Sequence, residues 1–547
     1  MIALDRLKLF STFVRMNLRS TNILKLQKQH FDVVIVGGGI NGAVCAAALA
    51  GKGAKVALIE KNDFASLTSQ ESSNLAWGGV KYLETLEFGL VRKLCVSRNH
   101  LIQSYPSTVQ EIRFFATLEK GFRFPAWFIW LGTWLYWFIG SCFTKIPRYL
   151  TKRRIQRWEP IVNLKNAVGG VEYSDAYLHD NDARFVFSFI RSAINHGCIA
   201  ANYVEAIQTK WDSRQWIIGA KDWLSGTKIQ LSAKIIINAC GPYADQFNLL
   251  THGETQHHHV FSKGIHLIVN RVSKANRVLT FFADDGRLFF AIPMGTKTCI
   301  GTTDTRMPSP TAHVTAEDRT FVLENINKRL TLDHPLTEKD IIAERCGVRP
   351  LVAKKNSTQT NDWIQMSRKH EIELDAEKNL ITIFGGKLTD CLNVGNEVSE
   401  MVQQQGIVLN YPKIRWYGEP HDSVRDDFFH QARLMDLDAY TSPHSSEKLS
   451  TRFWRRYGAN ALELLEDIRE NPAEAELLIE GAEYTRCEIK QAAKREMVTK
   501  LEDFLRRRSK IALVARKEDI KKSKGIREAC KILFGKEADK KFREYFG

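Results

Sequence analysis

Gly37, Gly39 and Gly42 stand in a G-x-G-x-x-G spacing between an apolar run at 31–36 and an Ala-rich stretch suited to a helix, and a second apolar run at 56–59 ends in the acid Glu60. The chemistry offered by this order is the holding of phosphates. The first glycine makes a tight strand-to-helix turn, the second lets backbone approach a pyrophosphate, and the third lets helix and strand pack closely. The helix start, with Asn41 in its first turn, presents unpaired N–H groups and a partial positive charge. Glu60 is placed to accept hydrogen bonds from ribose hydroxyls, which disfavours NADP but does not separate NAD from FAD. The motif lies near the start of the chain and is not repeated, which suits FAD as a resident cofactor better than an exchanging nicotinamide.

Such a site needs a parallel sheet behind it and a second layer over it. Further apolar runs at 198–205, 234–239 (KIIINA) and 380–384 (LITIF) read as strands of the nucleotide domain. Between them, 264–269, 279–282, 287–293 and 298–302 read as an antiparallel sheet lying over the cofactor, with the substrate pocket between the layers. Beyond about residue 416 the pattern turns helical, at 452–469, 473–483 and 488–510, with Met497, Leu501, Phe504 and Leu505 on one face. The expected fold is α/β. A Rossmann-like dinucleotide domain interleaved with an antiparallel-sheet substrate domain spans 31–415, a helical C-terminal domain spans 416–547, and a basic extension occupies 1–30.

With 547 residues, 44% of them hydrophobic and 26% charged, the chain is an ordinary globular one, long enough for two or three domains. Its ten cysteines are scattered singly, the pattern of reduced thiols in a cytosolic compartment and not of a disulfide framework or a zinc site. His257, His258 and His259 are adjacent but have no second cluster, so no metal is expected and a solvated loop is the reading. The net charge of +16 has no zinc-finger, RNP-like or helix-turn-helix pattern beside it, which argues against nucleic acid. An anionic membrane surface fits better.

Residues 124–143 carry no charge and are flanked by Arg123, Lys145 and Arg148. Length alone suggests a span, but one crossing here would separate the 31–60 strands from the rest of their sheet. Trp127, Trp130, Trp134 and Trp137 fall at i, i+3, i+7 and i+10. On a helix they form one stripe, suited to monotopic anchoring at a bilayer interface, with a core or homodimer contact as the alternative. The 1–30 segment holds Arg6, Lys8, Arg15, Arg19, Lys25 and Lys28 against Asp5 alone. It reads as a membrane-binding extension on the cytoplasmic face of an inner membrane or as a mitochondrial transit peptide, with Met16 as an alternative start.

In order along 30–547, DVVIVGGGINGA, DFASLTSQESSNLAWGGVKYLE, EYSDAYLHDNDAR, NACGPYAD, KGIH, IGTTDT, GVRPL and FGGKLTD together resemble the FAD-dependent glycerol-3-phosphate dehydrogenases of the D-amino-acid-oxidase superfamily. The resemblance implies FAD, a small phosphorylated alcohol as substrate, oxidation of sn-glycerol 3-phosphate to dihydroxyacetone phosphate, and delivery of electrons to a membrane quinone. The alternatives are an oxidase using oxygen, a relative acting on another hydroxy or amino acid, and an inactive flavin-binding scaffold. Arg349, Arg368 and Lys387 match the family's substrate-binding cations, suited to phosphate oxygens. Tyr82 matches a substrate contact, and His266 the active-site histidine, whose titration near neutrality suits removal of the hydroxyl proton.

The same resemblance places Thr68 and Ser69 near the flavin's ribityl and phosphate groups, Val204 at an adenine-side contact, and Gly241 in the loop after KIIINA. It places Gly79 in the paired-glycine turn, and Gly385, Gly386, Leu388 and Thr389 in the late loop beside the isoalloxazine. One departure stands out. Trp77 occupies a position where many members carry histidine, and the preceding motif is TSQ, so no histidine is available there for covalent attachment and FAD is expected to be held non-covalently.

Overall fold

In the computed structural model the described residues are 17–355, 370–443, 445–479 and 481–547. The strand His30–Val36 is almost continuously apolar and buried, as a strand covered on both faces must be. It pairs in parallel with Val56–Glu60 on one side, Val36 opposite Ile59, and with Lys228–Asn238 on the other, Val36 opposite Asn238. Leu380–Phe384 extends the sheet beyond Lys228–Asn238, and Ile199–Asn202 extends it beyond Val56–Glu60. The expected run at 198–205 divides at Tyr203, which has φ +57°, and resumes as Val204–Trp211 in an antiparallel pair with Trp216–Asp222.

The helix Ile40–Gly51, INGAVCAAALAG, is buried along nearly its whole length. Its alanines let Asp182–Asn195 and Cys391–Gln404 pack closely against it. On the opposite face lies Leu18–Lys28, which buries Ile23 and Leu26, while its Arg19 pairs with Asp222 at 2.6 Å and donates to Asn202. Residues 17–30 are therefore not an extension apart from the fold, as expected from their charge. Arg19 is a buried structural cation, and the first sixteen residues lie outside the described ones.

Among the described residues the second sheet has ten strands. Its centre is His257–Asn270, paired antiparallel with Lys297–Gly301 and with Ala343–Lys354. Leu288–Met294 and Arg277–Phe282 continue it, followed by Val109–Glu119 and Ala167–Leu178. Among the described residues only the junction of Arg277–Phe282 with Val109–Glu119 is parallel, so the second layer is essentially the antiparallel one read from the sequence. The histidine trio begins its central strand: His257 pairs with Glu373 at 2.7 Å and His259 is buried, so neither sits in the solvated loop that was expected.

The uncharged segment forms the helix Ala126–Ile139, of 14 residues. Among the described residues, no helix is long and apolar enough to cross a membrane. Tyr136 turns one side of this helix inward by donating to Asp175 at 2.8 Å. The outward side shows Trp127, Phe128, Leu131, Leu135 and Phe138. Trp130, Trp134 and Trp137 lie half-buried on the flank, edge to face with one another.

The C-terminal region is helical, but its breaks fall where the periodicity did not show them. Gly458, at φ +54°, separates Leu449–Tyr457 from Ala461–Glu470. Among the described residues of 473–483 the short turn Pro472–Ala475 is the helical element, and Gly481 at φ +71° redirects the chain while Leu477 bridges to Thr485. The 488–510 run ends as Arg486–Arg495, bends at Met497 with φ +49°, and resumes as a π-helical turn, Asp503–Arg508. Met497, Leu501, Phe504 and Leu505 are all buried.

Candidate active site

The dinucleotide cradle follows from three glycines with separate geometric duties. Gly37 has φ +110°, and a Cβ on it would lie 2.4 Å from the carbonyl oxygen of Ala239. A Cβ on Gly42 would lie 1.8 Å from the carbonyl oxygen of Gly37, so helix and turn touch backbone to backbone. Gly39 caps the helix without a side-chain hydrogen bond and faces Ser69 Oγ, which accepts from the N–H of Ile40 at 3.0 Å. Glu60 accepts from the N–H of Gly38 at 2.6 Å and from that of Asn62 at 2.8 Å, while burial raises its pKa.

A cavity of about 360 Å³ opens beside this turn, lined by Gly37, Glu60, Val204, Cys240 and Tyr243 among others. Gly241, at φ +55°, makes the turn next to it. The residues therefore fit FAD: a glycine-capped helix start with no acid in its first turn for the diphosphate, an acid on the ribose side, and a largely apolar cavity for the adenosine.

At the other end of the cradle the late loop is tied back to the same helix. Asn41 Nδ2 donates to the carbonyl of Gly385 at 3.0 Å, so this side chain fixes the loop. Gly385 and Gly386 have φ +63° and +107°, conformations that a glycine adopts without strain. The N–H of Gly385 donates to His259 Nε2 at 3.1 Å, and His259 Nδ1 lies 3.2 Å from Asp245. Because Nε2 accepts, the ring proton sits on Nδ1 facing Asp245. His259 thus positions the late loop, a duty hidden in the sequence inside a run of three histidines.

Two residues after Gly385, Lys387 Nζ donates to Tyr82 Oη at 2.8 Å and lies over the Tyr82 ring. Gly79 has φ +80°, and a Cβ on it would lie 2.6 Å from that ring, so the paired-glycine turn lets Tyr82 fold back. Trp77 leans on Tyr82 with ring centroids 6.2 Å apart, and its carbonyl accepts from Thr389 at 3.4 Å. Leu388 packs against the core beneath. Trp77, Gly79, Tyr82, Lys387 and Thr389 are thereby brought together.

The sheet above supplies the remaining groups from alternate positions, which face one way. On His257–Asn270 these are Ser262, Gly264 and His266; opposite them on Ala343–Lys354 are Arg349, Gly347 and Arg345. The Arg349 guanidinium lies flat on Gly264, where a Cβ would come within 2.1 Å of it, and donates to Thr302 Oγ1 at 2.9 Å with Asp304 at 3.3 Å. Arg345 is fully buried, bonded to Asn74 Oδ1 at 2.8 Å and 3.5 Å from Asp182. Thr68 donates to the carbonyl of Val348 at 2.7 Å, joining the loop after the second strand to this sheet.

His266 does not titrate near neutrality as its resemblance-based role suggested. Burial first, and then the cations Arg345 and Arg349, lower its pKa to about 3, so the ring is neutral at physiological pH. Arg345 was not singled out in the sequence, although its spacing of two and four residues from Gly347 and Arg349 in ERCGVRP is that of one strand face. Arg368 lies outside the described residues. Among the described residues no group of side chains has metal-site geometry, and all ten cysteines are unpaired thiols.

Residues 32–382 match the profile of the FAD dependent oxidoreductase family, and 426–541 match the C-terminal domain of alpha-glycerophosphate oxidase. An aerobic glycerol-3-phosphate dehydrogenase of Bacillus subtilis is 30% identical over 393 residues, 71% of this chain and 69% of that one. Glycerol-3-phosphate dehydrogenase 2 of Mycobacterium tuberculosis is 29% identical over 500 residues, 89% of this chain and 82% of its own length. Among solved structures, the glycerol-3-phosphate dehydrogenase of Bacillus halodurans, complexed with FAD, shares the fold with a TM-score of 0.70 at 23% identity, covering 96% of each chain.

Proposed function

The chain belongs to the FAD-dependent glycerol-3-phosphate dehydrogenases, and from that membership we propose that it oxidises sn-glycerol 3-phosphate to dihydroxyacetone phosphate and passes the electrons to a membrane quinone. Bound non-covalently, FAD supplies the acceptor for the hydride leaving the secondary alcohol carbon. The observation that carries the reading is the short path from cradle to cation. Asn41, in the first turn of the dinucleotide helix, holds Gly385, and two residues later Lys387 meets Tyr82.

Lys387 and Arg349 grip the substrate phosphate, Arg349 through a guanidinium fork already seated on Gly264. Tyr82 orients the substrate through its hydroxyl. His266, neutral in the free enzyme, accepts the hydroxyl proton. Seating a phosphate dianion beside Arg349 offsets part of the positive field that depresses His266, so its proton affinity rises when substrate is present.

The protein attaches to an anionic membrane surface through the outward face of Ala126–Ile139. Trp127, Phe128, Leu131, Leu135 and Phe138 are exposed there, and Arg123, Lys145 and Arg148 flank the face as cations for lipid headgroups. On this reading the enzyme sits at the cytoplasmic side of an inner membrane, beside its quinone. Steady-state rates test the reading. Turnover of sn-glycerol 3-phosphate with a soluble quinone analogue, well above that of unphosphorylated glycerol and insensitive to oxygen, supports it; equal turnover of the two alcohols, or oxygen as the preferred acceptor, overturns it.

A further inference from the structure

The Asp503–Arg508 turn of the C-terminal domain reaches back to the segment that follows the second strand of the cradle. Arg508 forms a fork on Asp63, Nη1 to Oδ2 and Nη2 to Oδ1, both at 2.8 Å, and Arg507 Nε reaches Asp63 Oδ2 at 2.6 Å. Asn202 donates to the same carboxylate at 2.8 Å. Arg507 also contacts Gln70 at 3.2 Å and pairs with Asp503 at 2.7 Å, and Arg506 pairs with Glu71 at 2.7 Å. Three consecutive arginines therefore fasten both ends of the 63–71 segment.

What lies between those ends is the lip of the cradle. The N–H of Ala65 donates to the carbonyl of Gly38 at 2.9 Å, Ser69 Oγ meets the first turn of Ile40–Gly51, and Thr68 bonds to Val348. Ala65 and Leu67 have φ +61° and +57°, left-handed conformations that non-glycine residues keep only where the surroundings impose them. Asp63 is 1% exposed, and a buried carboxylate that accepts from two guanidinium groups and an amide is held in one place.

We propose that the Arg506–Arg507–Arg508 turn is a latch, through which the C-terminal domain keeps the 63–71 segment closed over the helix start and so sets the residence time of FAD. Asp63, Glu71 and the three arginines are positioning residues in this scheme. It rests on the reading that Thr68 and Ser69 lie near the flavin's ribityl and phosphate groups. The latch adds affinity without a direct contact to the dinucleotide, by making the lip rigid before binding.

The test is FAD release from the purified holoenzyme, followed by the fluorescence regained on dilution. Glu71→Gln, Arg506→Gln and Arg508→Lys should each speed release by about tenfold, and the Glu71→Gln/Arg506→Gln pair should release no faster than either single variant, since both remove one interaction. Release within twofold of wild type in all of them overturns the latch. Should a variant fail to fold, wild-type protein decides by hydrogen exchange with and without FAD. Removing FAD should deprotect 63–71 and 503–508 together, and independent exchange of the two segments overturns the proposal. A protein that takes up no FAD refutes the flavin reading instead, so the two failures are distinguishable.

Discussion

At the scale of single residues the site is a set of cations and rings whose places are made by glycines. Lys387 is held on Tyr82 and Arg349 on Gly264, so each is oriented in the free protein. With Lys387 gripping the phosphate as proposed, its replacement by Met removes a charge-assisted hydrogen bond worth about 1.5–3 kcal/mol, which should lower kcat/KM for the phosphorylated substrate roughly 10- to 150-fold. The slow residual turnover of glycerol should change little. His266 gives a prediction with a sign. Its folded pKa is depressed to about 3, below the value of about 6.5 in an unfolded chain. The unfolded state therefore binds the extra proton first. The contribution of neutral His266 is complete above about pH 6.5 and is lost as pH falls toward 3. His266→Asn should lose less stability than wild type between pH 6.5 and 4.5 in denaturant titrations; parallel losses would contradict the environment described.

At the scale of elements, the helix Ala126–Ile139 shows what a sequence reveals and what it hides. Helical spacing alone aligned the four tryptophans. Which way the helix faces is decided elsewhere, by Asp175 on a strand of the second sheet, which receives the Tyr136 hydroxyl and also the Gly78 N–H and Arg98. The exposed face is consequently Trp127, Phe128, Leu131, Leu135 and Phe138. Replacing Leu131 and Phe138 by Glu should release the protein from anionic vesicles in a sedimentation assay, since each buried apolar side chain contributes about 1.5–3 kcal/mol. Retention of the double variant on the vesicles would move the attachment elsewhere.

The strands of the cradle were legible because each is a short apolar run bounded by glycine or acid. The duty of His259 was not, since its partners Gly385 and Asp245 are distant in sequence. The C-terminal breaks were missed for a related reason: left-handed turns at Met497, Gly458 and Gly481 interrupt a hydrophobic period that continues through them.

At the scale of the whole molecule, two sheets built from interleaved segments carry the candidate site, and the Arg506–Arg508 turn of the helical C-terminal region is bonded to Asp63 and Glu71 beside it. The net charge of +16 belongs to this scale. Attraction to an anionic surface is screened within about 10 Å at 0.1 M salt, so vesicle binding should weaken as salt rises while the apolar face still contributes. The central claim is that a flavin lies in the cradle and is reduced by a small phosphorylated alcohol. Its most direct test is the visible absorbance of the purified holoenzyme under anaerobic conditions before and after addition of sn-glycerol 3-phosphate. Rapid loss of the flavin band, with no comparable loss on addition of glycerol, is the expected result; a protein that carries no flavin band, or one whose band persists unchanged in excess sn-glycerol 3-phosphate, would contradict it.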